Sequence, residues 1–204
     1  CEIGPFQVHL RGNAPGFAET LTLLYADAPT DLDPARHFND FTVRMLRPRG
    51  LRRFFHPQVY FGADYETPFE PFPLDHCFPH FEWGLNWLIA SQAQQYLMFH
   101  AAVLERHGRA LLLPADPGSG KSTLCSRLIL TGWRLLSDEF GLYRPETGML
   151  DPLPRPIPLK NESIDVIRDY SPDTVLGPVF PRTRKGNVAH VRPLAGGGPD
   201  AQAA

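Results

Sequence analysis

Residues 115–123 read Ala-Asp-Pro-Gly-Ser-Gly-Lys-Ser-Thr, residue types whose spacing suits the binding of a phosphate chain. Gly118 and Gly120 carry no Cβ, so the backbone can turn tightly and offer successive N–H groups to a phosphate at the positive end of a following helix. Lys121 would then reach the β and γ phosphates, and the Ser122 hydroxyl suits Mg²⁺. Asp116, Pro117, Gly118, Ser119, Gly120, Lys121, Ser122 and Thr123 are therefore the candidate nucleotide-binding residues. The first glycine of the common G-x-x-x-x-G-K-[ST] pattern is Ala115 here, the mildest replacement. The alternative is a glycine-rich strand-to-helix turn with a surface lysine, and the flanking pattern argues against it.

A second group with chemical potential is Ser137-Asp138-Glu139. Adjacent acids at the end of an apolar strand suit a Mg²⁺-binding carboxylate beside one that takes a proton from an attacking hydroxyl. Such a pair alone can equally be a helix cap or a solvated strand end. One short helix separates it from the phosphate loop, which is what gives the pair weight. Ser122, Asp138 and Glu139 are the candidate metal ligands, and either acid could be the base.

The elements that must position these groups are legible on both sides. Leu111-Leu112-Leu113 before the loop is an apolar run of strand length, and residues 124–130 carry apolar side chains at helical spacing. Thr131-Gly132 offers a left-handed helix end, and Trp133-Arg134-Leu135-Leu136 reads as a second buried strand. Residues 97–105 read as a buried strand, with Arg106-His107-Gly108-Arg109 as its hairpin turn. His100 lies in that apolar stretch, where a lone histidine is usually a satisfied core group.

The 204 residues can bury one normal core, with room for a small second lobe. Hydrophobic content of 43% and charged content of 21% are globular values, and a net charge of −2 gives no basis for nucleic-acid or anionic-membrane binding. No apolar run approaches the ~20 residues of a membrane span, and no signal peptide is recognisable. Cys1, Cys77 and Cys125 form no paired framework, which favours a reducing, cytoplasmic setting. The chain starts at Cys1 rather than methionine, which leaves room for residues upstream. The 22 prolines predict long irregular connections.

Residues 1–80 read as a small strand-helix-strand extension: Phe6–Leu10 and Phe41–Leu46 alternate, Phe17–Tyr25 has helical spacing, and Val59–Gly62 suits one more strand. Arg47, Arg49, Arg52 and Arg53 could meet an acidic partner or a leader peptide, or form a solvated turn. Residues 66–82 are rich in proline and aromatics. His76, Cys77 and His80 suggest a metal there, but no second cluster completes four ligands and Pro79 interrupts helical pairing of the histidines. A packed irregular segment is the plainer reading. It leads into a helix over Trp83–Tyr96 with Leu85, Trp87, Leu88, Ile89 and Ala90 in the core.

Past the acids, Leu142-Tyr143 ends a strand and residues 145–148 make a turn. Residues 152–158 must run extended, because prolines stand at 152, 154, 156 and 158. They deliver residues 159–163 to the start of a helix over Ile164–Tyr170. Arg155 and Lys160 are candidate cations for a transferring phosphoryl group. Arg182, Arg184, Lys185, His190 and Arg192 form a second basic set, which could close over nucleotide or peptide or be a solvated loop. The tail at 194–204 has little to bury, and its composition predicts disorder.

From His100 to Tyr143 the chain resembles the HPr kinase/phosphatase family, and most closely the set called HPr kinase-related kinase A. The resemblance rests on His100 before a hairpin, A-D-P-G-S-G-K-S-T at 115–123 and G-W-R-L-L-S-D-E-F at 132–140. E-W-G-L-N-W at 82–87, R-P-I-P-L-K-N-E-S-I at 155–164 and T-R-K-G-N-V-A-H at 183–190 also resemble the kinase A set. It implies an α/β (mixed α+β) P-loop kinase core over 81–193, like the carboxyl half of phosphoenolpyruvate carboxykinase, with a mixed sheet around the loop. It further implies ATP and Mg²⁺ as cofactors, a serine hydroxyl of a peptide or protein as acceptor, and a homo-oligomer. By position, Asp138 and Glu139 fall where the family has two aspartates, and His100 where a histidine supports the catalytic acid. The separate N-terminal domain and C-terminal segment of HPr kinases are not recognisable, which makes a tailored peptide a more natural acceptor than HPr. A small-molecule hydroxyl kinase and a nucleotide-binding switch are the alternative functions.

Overall fold

The computed structural model describes residues 1–31, 38–48, 50 and 55–193. Arg49, Arg52 and Arg53 of the basic turn, and the tail from Leu194, lie outside the described residues. The architecture is mixed α+β, with several sheets and, among the described residues, four α-helices. The chain divides into two compact units, Cys1–Gln92 and Ala93–Ala204. The division falls after the helix that the sequence reading grouped with the core.

In the first unit β1 (Glu2–Ile3), β2 (Phe6–Gly12), β3 (Phe41–Leu46), β4 (Gln58–Ala63) and β5 (Phe72–Pro73) pair in that spatial order. β2 and β3 are parallel, which requires the crossover that contains α1 (Phe17–Leu24), and the other pairs are antiparallel. Phe41, Val43 and Met45 are buried while Thr42 and Arg44 between them are not, as strand alternation demands. The core includes Phe61 from β4 and Phe78, Phe81, Leu85, Leu88 and Ile89 from α2 (Cys77–Gln92).

α2 begins six residues earlier than the periodicity predicts. Pro79 is the reason the sequence misleads: it falls in the first turn, where its missing N–H has no helical acceptor to lose. The segment before it is more regular than expected, holding β5 and a 3₁₀ turn at Leu74–His76. Trp87 is only half-buried and Ala90 is exposed, so the buried face is narrower than predicted. Phe61 presses on the helix backbone at Gly84, where a Cβ would lie 2.1 to 2.5 Å from the ring. Gly84→Ala is therefore expected to destabilise this unit by about 1–3 kcal/mol, read as a lower urea midpoint; an unchanged midpoint would show that the ring can move aside.

Cys77 and His80 are both buried in the packing of this unit. Among the described residues no three His, Cys, Asp or Glu side chains converge on one point. His80 is buried and stacked on Phe72 at 4.1 Å, with Phe61 and Phe69 edge-on. Burial lowers its pKa to about 4 and pushes the Cys77 thiol up to about 12. The unfolded chain takes up the His80 proton near pH 6.5 and the native state only near 4, so native stability falls as pH drops across that window. Denaturant titrations at pH 7 and pH 4.5 should show a smaller acid loss in His80→Phe than in the wild type.

The second unit is centred on β6 (Leu97–Arg106). β7 (Arg109–Pro114) lies along one side of it, and β8 (Arg134–Ser137) and β9 (Phe140–Arg144) pair with opposite ends of the other side. β10 (Met149–Asp151) extends the sheet from β9. His107 and Gly108 make the two-residue hairpin loop with φ 54° and 75°, the left-handed pair that a type I′ turn demands. Every hydrogen-bonded pair in this sheet is antiparallel, where the resemblance implied a mixed sheet. β7 and β8, each antiparallel to β6, run in the same direction, so their carboxyl ends emerge together.

Two further points correct the sequence reading. Only Ala101–Leu104 of β6 are fully buried, while Leu97, Phe99 and His100 are exposed. Leu159 and Lys160 belong to β11 (Ile157–Lys160) rather than to the following helix, α4 (Glu162–Tyr170). β11 pairs with β13 (Gly186–Val191), which pairs with β12 (Phe180–Thr183) in a hairpin whose register shifts between Phe180 and Thr183, so the basic set at 182–192 lies on and just beyond a bulged β-hairpin. α3 (Lys121–Leu130) packs Cys125 and Ile129 into a core with Ala102, Leu104, Leu135, Ile157, Leu159, Ile164 and Val191.

Candidate active site

The phosphate loop emerges from β7 and the acid pair from β8, and their common direction puts both at one end of the sheet. Gly118 and Gly120 sit at φ 91° and 89°, and nothing lies within 4 Å of a Cβ built on either. These glycines answer to backbone conformation, not to crowding. Gly120 is the N-cap of α3 and has no side chain to satisfy the helix's first N–H groups, and the Ser119 N–H donates to the Asp116 carbonyl at 3.2 Å. The resulting turn leaves a helix N-terminus suited to an anion.

Sixteen residues along the chain, the two groups meet. The Ser122 hydroxyl donates to Asp138 Oδ2 at 2.9 Å. Asp138 is buried, and its other oxygen, Oδ1, has no hydrogen-bond partner among the described residues. Burial lifts its pKa to about 7; Lys121 opposes the shift, Glu139 adds to it, and Ser122 and the Cys125 thiol oppose it more weakly. Burial in turn pushes the Cys125 thiol well above its ordinary value.

Ser137 decides how the two acids diverge. Its Oγ accepts the N–H of Glu139 at 3.3 Å and of Phe140 at 3.0 Å, holding a tight turn in which Asp138 points inward and Glu139 stays part-exposed. Glu139 Oε2 is 4.0 Å from His100 Nε2, and the His100 side chain is 61% exposed. His100 is thus a surface group beside an acid, not the satisfied core histidine that its apolar neighbours suggest.

Of the two candidate cations, Lys160 joins this cluster. It is half-buried, and its pKa is lowered first by burial and then by Lys185, while Glu139 and Asp138 pull the other way. Arg155 is buried beside His190, where it helps burial lower that histidine to about 3. His190, one of the expected surface basic set, is therefore interior and neutral. Asp116 and Pro117 are exposed at the loop, and Thr123 is half-buried in the first turn of α3.

The donors suit a hard cation. A serine hydroxyl and a buried carboxylate with a spare oxygen are oxygen ligands of the kind Mg²⁺ takes, and its remaining positions would fall to phosphate and water. Comparison with protein-family models, with curated proteins and with solved structures finds no match to this chain.

Sequence reasoning missed Ser137 and Cys125. A signal for Cys125 was present, since it lies four residues after Lys121 and three after Ser122, on one helix face.

Proposed function

We propose that this chain is an ATP-dependent, Mg²⁺-requiring kinase that transfers the γ-phosphate to a hydroxyl, with serine in a peptide or protein as acceptor. The observation that carries the reading is the Ser122–Asp138 hydrogen bond, which joins the glycine-bearing loop to an acid pair whose second member is part-exposed beside His100. A pure nucleotide switch has no need of a carboxylate placed to take a proton from an acceptor.

The division of labour follows from burial. The α3 N-terminus and Lys121 hold the phosphates, and Ser122 and Asp138 are the residues that would hold Mg²⁺. The bound ion would neutralise charge on the phosphate oxygens. Glu139, part-exposed and reachable by an acceptor, takes the hydroxyl proton, with His100 Nε2 4.0 Å away beside it. Lys160 stabilises charge that spreads over the transferring phosphoryl group. The peptide hydroxyl as acceptor draws on the resemblance to HPr kinase-related proteins.

The test is mass spectrometry after incubation with ATP, Mg²⁺ and serine-bearing peptides. Addition of one phosphate to a peptide supports the reading. Transfer only to small hydroxyl compounds would replace the acceptor, and ATP hydrolysis without any transfer would turn the reading into a switch.

A further inference from the structure

A lysine on the β12–β13 hairpin is held beside this cluster by unusual backbone geometry. The hairpin turns through Arg184 and Lys185, with Thr183 opposite Gly186. Thr183 Oγ1 donates to the Gly186 carbonyl at 2.7 Å and accepts the Lys185 N–H at 3.1 Å, so the turn is stitched around Lys185. The hairpin is then locked to the residue that follows Lys160. The Asn161 N–H donates to the Asn187 carbonyl at 2.9 Å, and the Asn187 N–H donates to Asn161 Oδ1 at 3.0 Å. Lys160 itself lies opposite Val188 in the β11–β13 ladder.

This lock is strained. Asn161 has φ 51° and ψ −124°, a region that side-chain-bearing residues rarely occupy. Gly186, at φ 85°, accepts the lock only because it has no Cβ; one built there would lie 2.3 Å from Asn161 Oδ1. Strain of this kind persists only where surrounding structure over-determines it, and what it achieves is to hold Lys185 near Lys160. Like charges so placed repel, and Lys121 adds a third. Asp138 and Glu139 act on Lys160 in the opposite sense and offset this in part. An arrangement held at the expense of backbone strain and cation repulsion is suited to a ligand with several negative charges.

We infer that Lys185 is a further phosphate-binding residue, which with Lys121 and Lys160 completes an anion site for the polyphosphate of a nucleoside triphosphate. The inference rests on the kinase reading and adds to it a residue, an element and a preference for a polyphosphate over a single phosphate. The hairpin presents Lys185 beside Lys160 at the end of β11, and Gly186 and Asn161 are its positioning residues.

The experiment is calorimetric titration of the whole chain with MgATP, tripolyphosphate and inorganic phosphate, with no acceptor present. Wild type should bind the first two and bind inorganic phosphate at least about 10-fold more weakly. Lys185→Met should weaken MgATP and tripolyphosphate by roughly 10-fold, the scale of one lost charge-assisted contact, with an unchanged thermal midpoint. Lys185→Arg should recover most of the loss. Arg168→Met, on the exposed face of α4, removes the same net charge outside the cluster and should bind as wild type does. Equal binding by Lys185→Met and wild type would overturn this inference while leaving the kinase reading intact, and an equal loss in Arg168→Met would also overturn it, by showing a long-range field. Failure of the wild type to bind either polyphosphate would sink the kinase reading itself.

Discussion

Lys121→Ala is expected to abolish phosphoryl transfer, by roughly 10³-fold or more, while the protein stays folded. The residue opens α3, where alanine is the best helix former, and the helix is anchored by Cys125 and Ile129 rather than by the lysine. In the proposed kinase its loss removes a cation at the start of α3 that would offset negative charge spreading over the transferring phosphoryl group. It also removes the main interaction that favours the ionised form of Asp138, so that carboxyl should titrate even higher. The check is initial-rate measurement with saturating MgATP, beside a circular-dichroism melt that should move little. Robust turnover by this variant would remove the phosphate loop from the mechanism.

Replacing the acids should separate their roles. If the buried carboxylate holds Mg²⁺ as proposed, Asp138→Asn is expected to lower the rate by about 10²- to 10³-fold and to raise the Mg²⁺ concentration needed for half-maximal activity. Glu139→Gln should reduce the rate within the 10²- to 10⁴-fold range of a lost general base and leave MgATP affinity within a few-fold. If both variants kept wild-type rates in Mg²⁺, the acid pair would have no part in the chemistry.

Asp138 carries a second signature with a defined sign. Its folded-state pKa of about 7 lies above the unfolded value near 3.8, so the native state holds the proton more tightly between those pH values. The metal-free protein should therefore lose stability as pH rises from about 4 to about 7, and the loss is complete above 7. Asp138→Asn cannot ionise, and at pH 8 without Mg²⁺ it should melt roughly 3–6 °C above wild type, the less active protein being the more stable. A lower melting point at pH 8 would show that the carboxylate is already compensated in the apo state.

Local structure was legible in the sequence by itself. The glycine turn at 118–120, the helix after it, the His107-Gly108 hairpin and the strands β2, β3, β4 and β6 all follow from residue type, periodicity and turn preference, which act over a few neighbours. Those rules misplace an element where one residue has two meanings. Pro79 reads as a helix breaker, and it is also the residue a first helical turn tolerates best. Likewise, the apolar surroundings of His100 in sequence say nothing of the edge on which its half of β6 ends up.

What only the tertiary structure decided is which distant groups meet. Ser122 reaches Asp138 because β6 pairs antiparallel with both β7 and β8, bringing their carboxyl ends to one side. Glu139 reaches His100 because β9 pairs with the first half of β6, and Lys160 is brought beside Lys185 because β11 pairs with β13. Arg155 and His190 are ionisable like Arg182, Arg184 and Lys185, which are exposed, and go to the interior instead. Periodicity reports which face of an element is apolar; it carries no record of strand order, and strand order sets the partners, the burial and hence the protonation of each site residue.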